Sequence, residues 1–159
     1  MKKITTIHIG DMREEWLLRA EGDYAKRLAP FCDYSTVHIK EERLPDSPNP
    51  AQIAAALKTE GERVAARLGE RTYKIALCVE GEMMPSEAFG NLIAAKLTEY
   101  GGVAFVIGGS HGLCPEVKAA ADLRLSLSPM TFPHKLMRVI LAEQLYRAFS
   151  IASGGKYHK

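Results

Sequence analysis

What most limits the fold open to this chain is an alternation. Short β-branched runs are separated by longer stretches of helical period along the whole sequence. Strand-length runs lie at Ile4–Ile9, Tyr34–Ile39, Tyr73–Val79, Val103–Ile107 and Leu123–Leu127. Helical periodicity covers Arg13–Leu28, Pro50–Leu68, Ser86–Glu99, a short stretch after Pro115, and a long last segment from Pro133 to about Ile151. Strands that alternate with helices predict an α/β domain: a parallel sheet with helices on both faces.

Boundary residues agree with this reading. Asn49 before Pro50 is an N-cap followed by a proline at the first helical position, where the missing N–H costs nothing. Ser86 after Pro85 is placed to cap the third helix, and Gly101-Gly102 to end it. Glu41 to Pro50, with its three prolines, reads as a loop. It is not a domain boundary, because neither flank is long enough to fold alone. With 159 residues, 47% hydrophobic and 25% charged, residues 1–159 read as a single domain that needs no disulfide or metal to hold together.

Several function classes are disfavoured. Cys32, Cys78 and Cys114 are odd in number and lack C-x-x-C spacing, so neither a disulfide framework nor a zinc site is indicated, and no two histidines share the i, i+4 spacing of a helical metal pair. His8 and His38 read as packed or edge residues of strands. Thr5, Thr6, His8 and Asp11 interrupt any signal-like apolar region. The longest uncharged stretch, Tyr100 to Pro115, holds five glycines and a histidine, which disqualifies it as a membrane span. A soluble, cytoplasmic protein without membrane contact is expected. Net charge is only +2, but residues 134–159 carry Lys135, Arg138, Arg147, Lys156 and Lys159 against Glu143 alone, so any polyanion contact is expected to involve the C-terminal end.

Ligands of parallel α/β sheets bind beyond the carboxyl ends of the strands. Three such ends are unusual here: Leu77-Cys78-Val79 running into Glu80-Gly81, Ile107 into Gly108-Gly109-Ser110-His111-Gly112, and Leu127 into Ser128-Pro129-Met130-Thr131-Phe132-Pro133. Glycines after a strand let a ligand approach the backbone and leave amide N–H groups available to it. The Gly-Gly-Ser-His-Gly run matches neither a dinucleotide fingerprint nor a P-loop. Thr131 is a possible cap for the last helix, and its loop suits the face of a purine ring. That last helix is apolar on more than one face: Leu136, Met137, Ile140, Leu141, Leu145 and Phe149 form one stripe, with Val139 and Tyr146 outside it. The surplus suggests a homodimer. Glu143 and Arg147 have the spacing and order of an i, i+4 ion pair.

The run Phe105 to Leu113, the segments Leu125–Ser128 and Met130–His134, Arg138-Val139, Glu143 to Ala148, and the terminal Tyr157-His158-Lys159 together closely resemble the ribosomal RNA large subunit methyltransferase H family over essentially the whole length. The resemblance implies the SPOUT class, an α/β fold whose C-terminal part is threaded into a trefoil knot, a rare exception to unknotted topology. It implies a homodimer that moves a methyl group from S-adenosylmethionine to N3 of a pseudouridine in large-subunit ribosomal RNA within assembled ribosomes, without a metal. It implies cofactor contacts at Leu77, Gly108 with its neighbour Gly109, and Leu127, Ser128, Pro129, Met130, Thr131 and Phe132. Removal of the N3 proton needs a base or a stabilising cation, for which Arg138, Arg147, Tyr157 and His158 are the candidates. A nucleotide-phosphate enzyme using the Gly108 turn and a ribosome-bound module without catalysis remain the alternatives.

Overall fold

A computed structural model describes residues 2–159. Ten elements alternate as β1 (Lys3–Ile9), α1 (Glu15–Leu28), β2 (Asp33–Ile39), α2 (Pro50–Ala65), β3 (Tyr73–Glu82), α3 (Ser86–Tyr100), β4 (Gly102–Ile107), α4 (Pro115–Ala120), β5 (Leu123–Leu125) and α5 (His134–Ala152). The strands form one all-parallel sheet in the order β2-β1-β4-β3-β5. Strands buried on both faces read as unbroken apolar runs, and every residue of β4, at the centre, is buried.

Side chains alternate across the sheet and split the core in two. Ile4, Ile75, Val103, Phe105 and Leu125 pack with Leu28 of α1, Phe89 and Ile93 of α3, and Leu141 and Leu145 of α5. Ile7, Ile9, Ala76 and Val106 point the other way, onto Val64 of α2 and Val117 of α4. One buried ion pair crosses the first layer. Arg138 of α5 donates to both carboxylate oxygens of Glu21 on α1, at 2.9 and 2.6 Å, and is only 6% exposed. Among the described residues no helix is long and apolar enough to cross a membrane.

Of five local expectations, two hold and three need correction. Asn49 does cap α2: its side chain accepts from the Gln52 N–H at 2.8 Å while the Gln52 amide oxygen accepts from the Asn49 N–H at 2.9 Å. Ser86 does not cap α3. Pro85 holds that position, and the Ser86 hydroxyl donates instead to Gln144 of α5 at 2.8 Å. Thr131 does not cap α5, which begins after Pro133 with no side-chain cap. β5 ends at Leu125, short of Leu127, because the Ser126 hydroxyl donates to the Ser128 carbonyl at 2.9 Å and turns the chain out of the sheet. Gly101 closes α3 at φ +82°, in the left-handed conformation that glycine adopts freely.

Candidate active site

The three strand ends meet. Leu77 from β3, Ile107, Gly108 and Gly109 from the end of β4, and Leu127, Ser128, Met130, Thr131 and Phe132 from the segment after β5 line one cavity of about 200 Å³. Of the residues expected there, only Pro129 does not line it. Two interactions shape the last segment: the Ser126–Ser128 turn, and the Met130 N–H donating to the Ser128 hydroxyl at 3.0 Å. The β4 loop folds back on itself, with the Gly112 N–H donating to the Gly109 carbonyl at 3.1 Å.

That hairpin changes the meaning of Gly108. A Cβ there would lie 2.5 Å from the carbonyl carbon and oxygen of Gly112. The glycine is therefore required by the loop's own backbone, before any ligand approaches. Gly112, at φ +79°, supplies the left-handed residue of the same turn.

Further residues of the cavity wall were not among those expected to hold a ligand. Glu80 and Lys118 form an ion pair at 2.5 Å, and the hydrogen bond from Lys118 holds the Glu80 carboxyl below its ordinary range. His134 and Met137, from the first turn of α5, complete the wall. His134 follows the Met130–Pro133 segment directly, a signal open to sequence inspection. Lys118 gave none, since only the packing of α4 beside β3 brings it in.

None of the four catalytic candidates lines this cavity. Arg138 is buried in its pair with Glu21. The other three gather farther along α5. The Arg147 Nε donates to Glu143 at 3.0 Å, the expected i, i+4 pair, and its Nη1 donates to His158 Nδ1 at 2.9 Å. Because arginine only donates, Nδ1 must accept, which puts the imidazole proton on Nε2, 2.7 Å from Glu87 of α3. The Tyr157 hydroxyl donates to Glu143 at 3.2 Å, stands 3.4 Å from the Tyr24 hydroxyl, and lies edge-on to the Tyr146 ring. The hydrogen bond with Tyr24, then burial, then the Glu143 charge push its pKa up, so it stays a donor. The Glu143 hydrogen bond likewise raises that of Arg147, which stays a cation. Ten residues separate Met137 from Arg147 on α5, about 15 Å of helix at 1.5 Å per residue.

Comparison with known proteins decides the family. A family model described as "Predicted SPOUT methyltransferase" matches residues 2–158. The chain belongs to the SPOUT methyltransferases. A protein of Streptococcus thermophilus named "Ribosomal RNA large subunit methyltransferase H" is 43% identical over 158 residues, covering 99% of each chain. A namesake from Streptococcus agalactiae is 41% identical over the same share. A solved structure titled as a probable methyltransferase from Bordetella pertussis Tohama I superposes with a TM-score of 0.56 at 19% identity, covering 92% of this chain and 94% of that one, so this family's fold extends to it.

Proposed function

We propose that this SPOUT methyltransferase moves a methyl group from S-adenosylmethionine to N3 of a pseudouridine in large-subunit ribosomal RNA, acting as a homodimer on assembled ribosomes in the cytoplasm. The observation that carries the reading is the convergence of Leu77, Gly108 and Leu127 to Phe132 on one cavity, in a chain that shares 43% of its residues with a protein named for that RNA. The lining suits an adenosyl group: Leu77, Ile107, Leu113, Leu127, Phe132 and Met137 offer apolar faces to a flat ring, and the β4 and post-β5 loops bring backbone amides beside them. Leu77, Gly108, Gly109 and Leu127, Ser128, Pro129, Met130, Thr131 and Phe132 are assigned to holding it. When bound, the cofactor supplies a methyl group already activated on sulfonium, so the protein's work is alignment and exclusion of water; effective molarities of about 10⁵–10⁸ M measure what alignment can supply.

The acceptor nitrogen must lose its proton. Tyr157 remains protonated and His158 has its Nδ1 taken by Arg147, which favours Arg147 as a cation stabilising the deprotonated base, with Tyr157 as a donor beside it. These groups and the cavity lie at different points along α5, so one chain's cavity is served by the other chain's tail. Half-buried Leu136, Val139 and Ile140 leave apolar surface on α5 for that contact. Arg138 serves by fixing α5 to α1. The trefoil knot is proposed from the family resemblance alone; the end of β3, for its part, is crowded. Leu77 and Glu82 both register with Leu125, and a Cβ on Gly81 would lie within 2.8 Å of the Arg124 and Leu125 backbone.

Incubation with labelled S-adenosylmethionine and ribosomes lacking the modification tests this. One labelled large-subunit pseudouridine is expected, with little transfer to protein-free transcript; NAD and ATP should not compete. No transfer, or label on another nucleotide, would overturn the reading, and equal labelling of protein-free RNA would remove the ribosome from it.

A further inference from the structure

A second cavity opens at the same edge of the sheet and shares a wall with the first. It occupies about 610 Å³ beyond the ends of β1 and β2, and its lining includes Arg13, His38, Lys40, Arg43, His134 and Lys135. His134 borders both cavities, and the β4 loop contributes Gly109 to one and Ser110 to the other.

Its charge is out of proportion to its size. Arg13, Lys40, Arg43 and Lys135 face only two lining carboxylates, Asp11 and Glu41. This one cleft therefore holds a surplus equal to the +2 of the whole chain. Both acids are already engaged. Asp11 accepts from Arg13 at 3.1 Å and pairs with His38 at 2.8 Å. The Glu41 carboxylate sits on the glycine loop, accepting from the Ser110 N–H at 3.4 Å and its hydroxyl at 3.2 Å. Gly109 leaves it that space, since a Cβ there would come within 2.8 Å of Glu41 Oε1. Lys135 is held by Glu14 at 2.8 Å. Lys40 and Arg43 are exposed and have no ion-pair partner among the described residues.

We infer that this cleft, led by Lys40 and Arg43, is the track for the RNA phosphodiester backbone flanking the target nucleotide, with His134 at the point where that nucleotide turns into the cofactor cavity. The inference rests on the proposed rRNA methylation and adds a surface that the charge pattern along the sequence did not reveal. The C-terminal surplus directed attention to residues 134–159, whereas Arg13, Lys40 and Arg43 lie in a segment of net negative charge and are assembled only by the parallel order of β1 and β2. Open cations beside the mouth of the cofactor cavity match RNA recognition in which backbone contacts set register and the splayed base is read by shape. An acidic protein segment would be steered by the same charges but would have no use for the continuity with the cofactor cavity.

The test is a Lys40→Glu/Arg43→Glu double variant set against Arg67→Glu/Arg71→Glu. The latter changes net charge equally with exposed residues just before β3, at the amino ends of the strands and so at the end of the sheet opposite the cleft. Both variants should keep the wild-type melting temperature and S-adenosylmethionine affinity. The cleft variant should lose at least 10-fold in kcat/KM on undermodified ribosomes. Its logarithmic salt dependence should flatten by about 1.5, as two lost single-strand phosphate contacts require, and binding to protein-free RNA should weaken in step. The control should change each by less than twofold. Equal losses in the two variants would reduce the effect to net charge and overturn the inference, as would an unchanged kcat/KM in the cleft variant. Weakened binding to ribosomes with unchanged binding to protein-free RNA would assign the cleft to a ribosomal protein and overturn it as well. Failure of the wild-type protein to methylate ribosomes would instead strike the proposed function.

Discussion

The two ends of α5 are built to opposite plans. At its first turn, His134 and Met137 border the cofactor cavity and take no fixed polar partner among the described residues. At its far end Glu143 and Arg147 hold Tyr157 and His158 in a network of charge-assisted hydrogen bonds that reaches across to Glu87. An end that is to receive a ligand must leave contacts unmade. One that presents chemical groups must fix their direction and protonation first. The contrast suits a division of labour in which one end of the helix holds the donor and the other, from a second chain, manages the acceptor's proton.

Cutting the second end away is the harshest test of that division. A chain lacking Tyr157, His158 and Lys159 should fold and bind S-adenosylmethionine within about twofold of the full chain. Its methyl transfer should fall by about 10³-fold or more, roughly 4 kcal/mol of activation free energy. Single-turnover transfer on undermodified ribosomes, read beside calorimetric cofactor binding, measures both. Turnover near that of the intact chain would show that the tail is only a clasp.

The middle of the helix should behave as neither end does. Arg138→Ala strands Glu21, 8% exposed, without its partner. About 3 kcal/mol of stability should be lost, the lower part of the range for a broken buried pair because Glu21 can take up a proton. Denaturant unfolding measures it. At temperatures where the variant remains folded, kcat per folded molecule should stay close to wild type. A large fall in kcat with little change in stability would return Arg138 to the catalytic candidates.

How much of this was legible in the chain differs between those regions. All ten elements could be read from periodicity, because short β-branched runs, apolar throughout only in central β4, alternate with longer segments of helical period. The cavity was legible too, since ligand sites follow strand ends and three such ends carried unusual loops. The tail network was half legible. The Glu143–Arg147 spacing lies within one helix turn, but His158 meets Glu87 across 71 positions of sequence. The Arg138–Glu21 pair spans 117, and nothing local in either segment announces the other. Gly108 carries a second constraint that was not legible, for a related reason: it comes from Gly112, through a turn whose closure only the folded backbone displays.

The smallest effect tests whether the layer beside Arg138 depends on a buried histidine staying uncharged. His8, at the end of β1, is 6% exposed, and burial, then the Arg138 charge, then the neighbouring His38 lower its pKa to about 4, against the opposing hydrogen bond to Gly10 and the Asp11 charge. In the unfolded chain it titrates near the ordinary 6.5. Above pH 6.5 neither state is protonated there and the full stability is present. Between 6.5 and 4 the unfolded chain binds a proton that the folded one refuses, so stability falls as pH falls, and below 4 the loss stops growing. The whole drop should be about 2 kcal/mol, somewhat under the bare difference between the two constants because partial hydration relaxes the penalty. Urea unfolding across that window, compared with His8→Asn, isolates it: the variant cannot take up the proton, and its profile should be flatter by that amount. Pairing the same measurement with Arg138→Ala goes one step further, because removing the second-largest cause should raise the His8 constant and shorten the window from its acid side. If the His8→Asn and wild-type profiles coincide, acid sensitivity arises elsewhere and not from this buried neutral histidine.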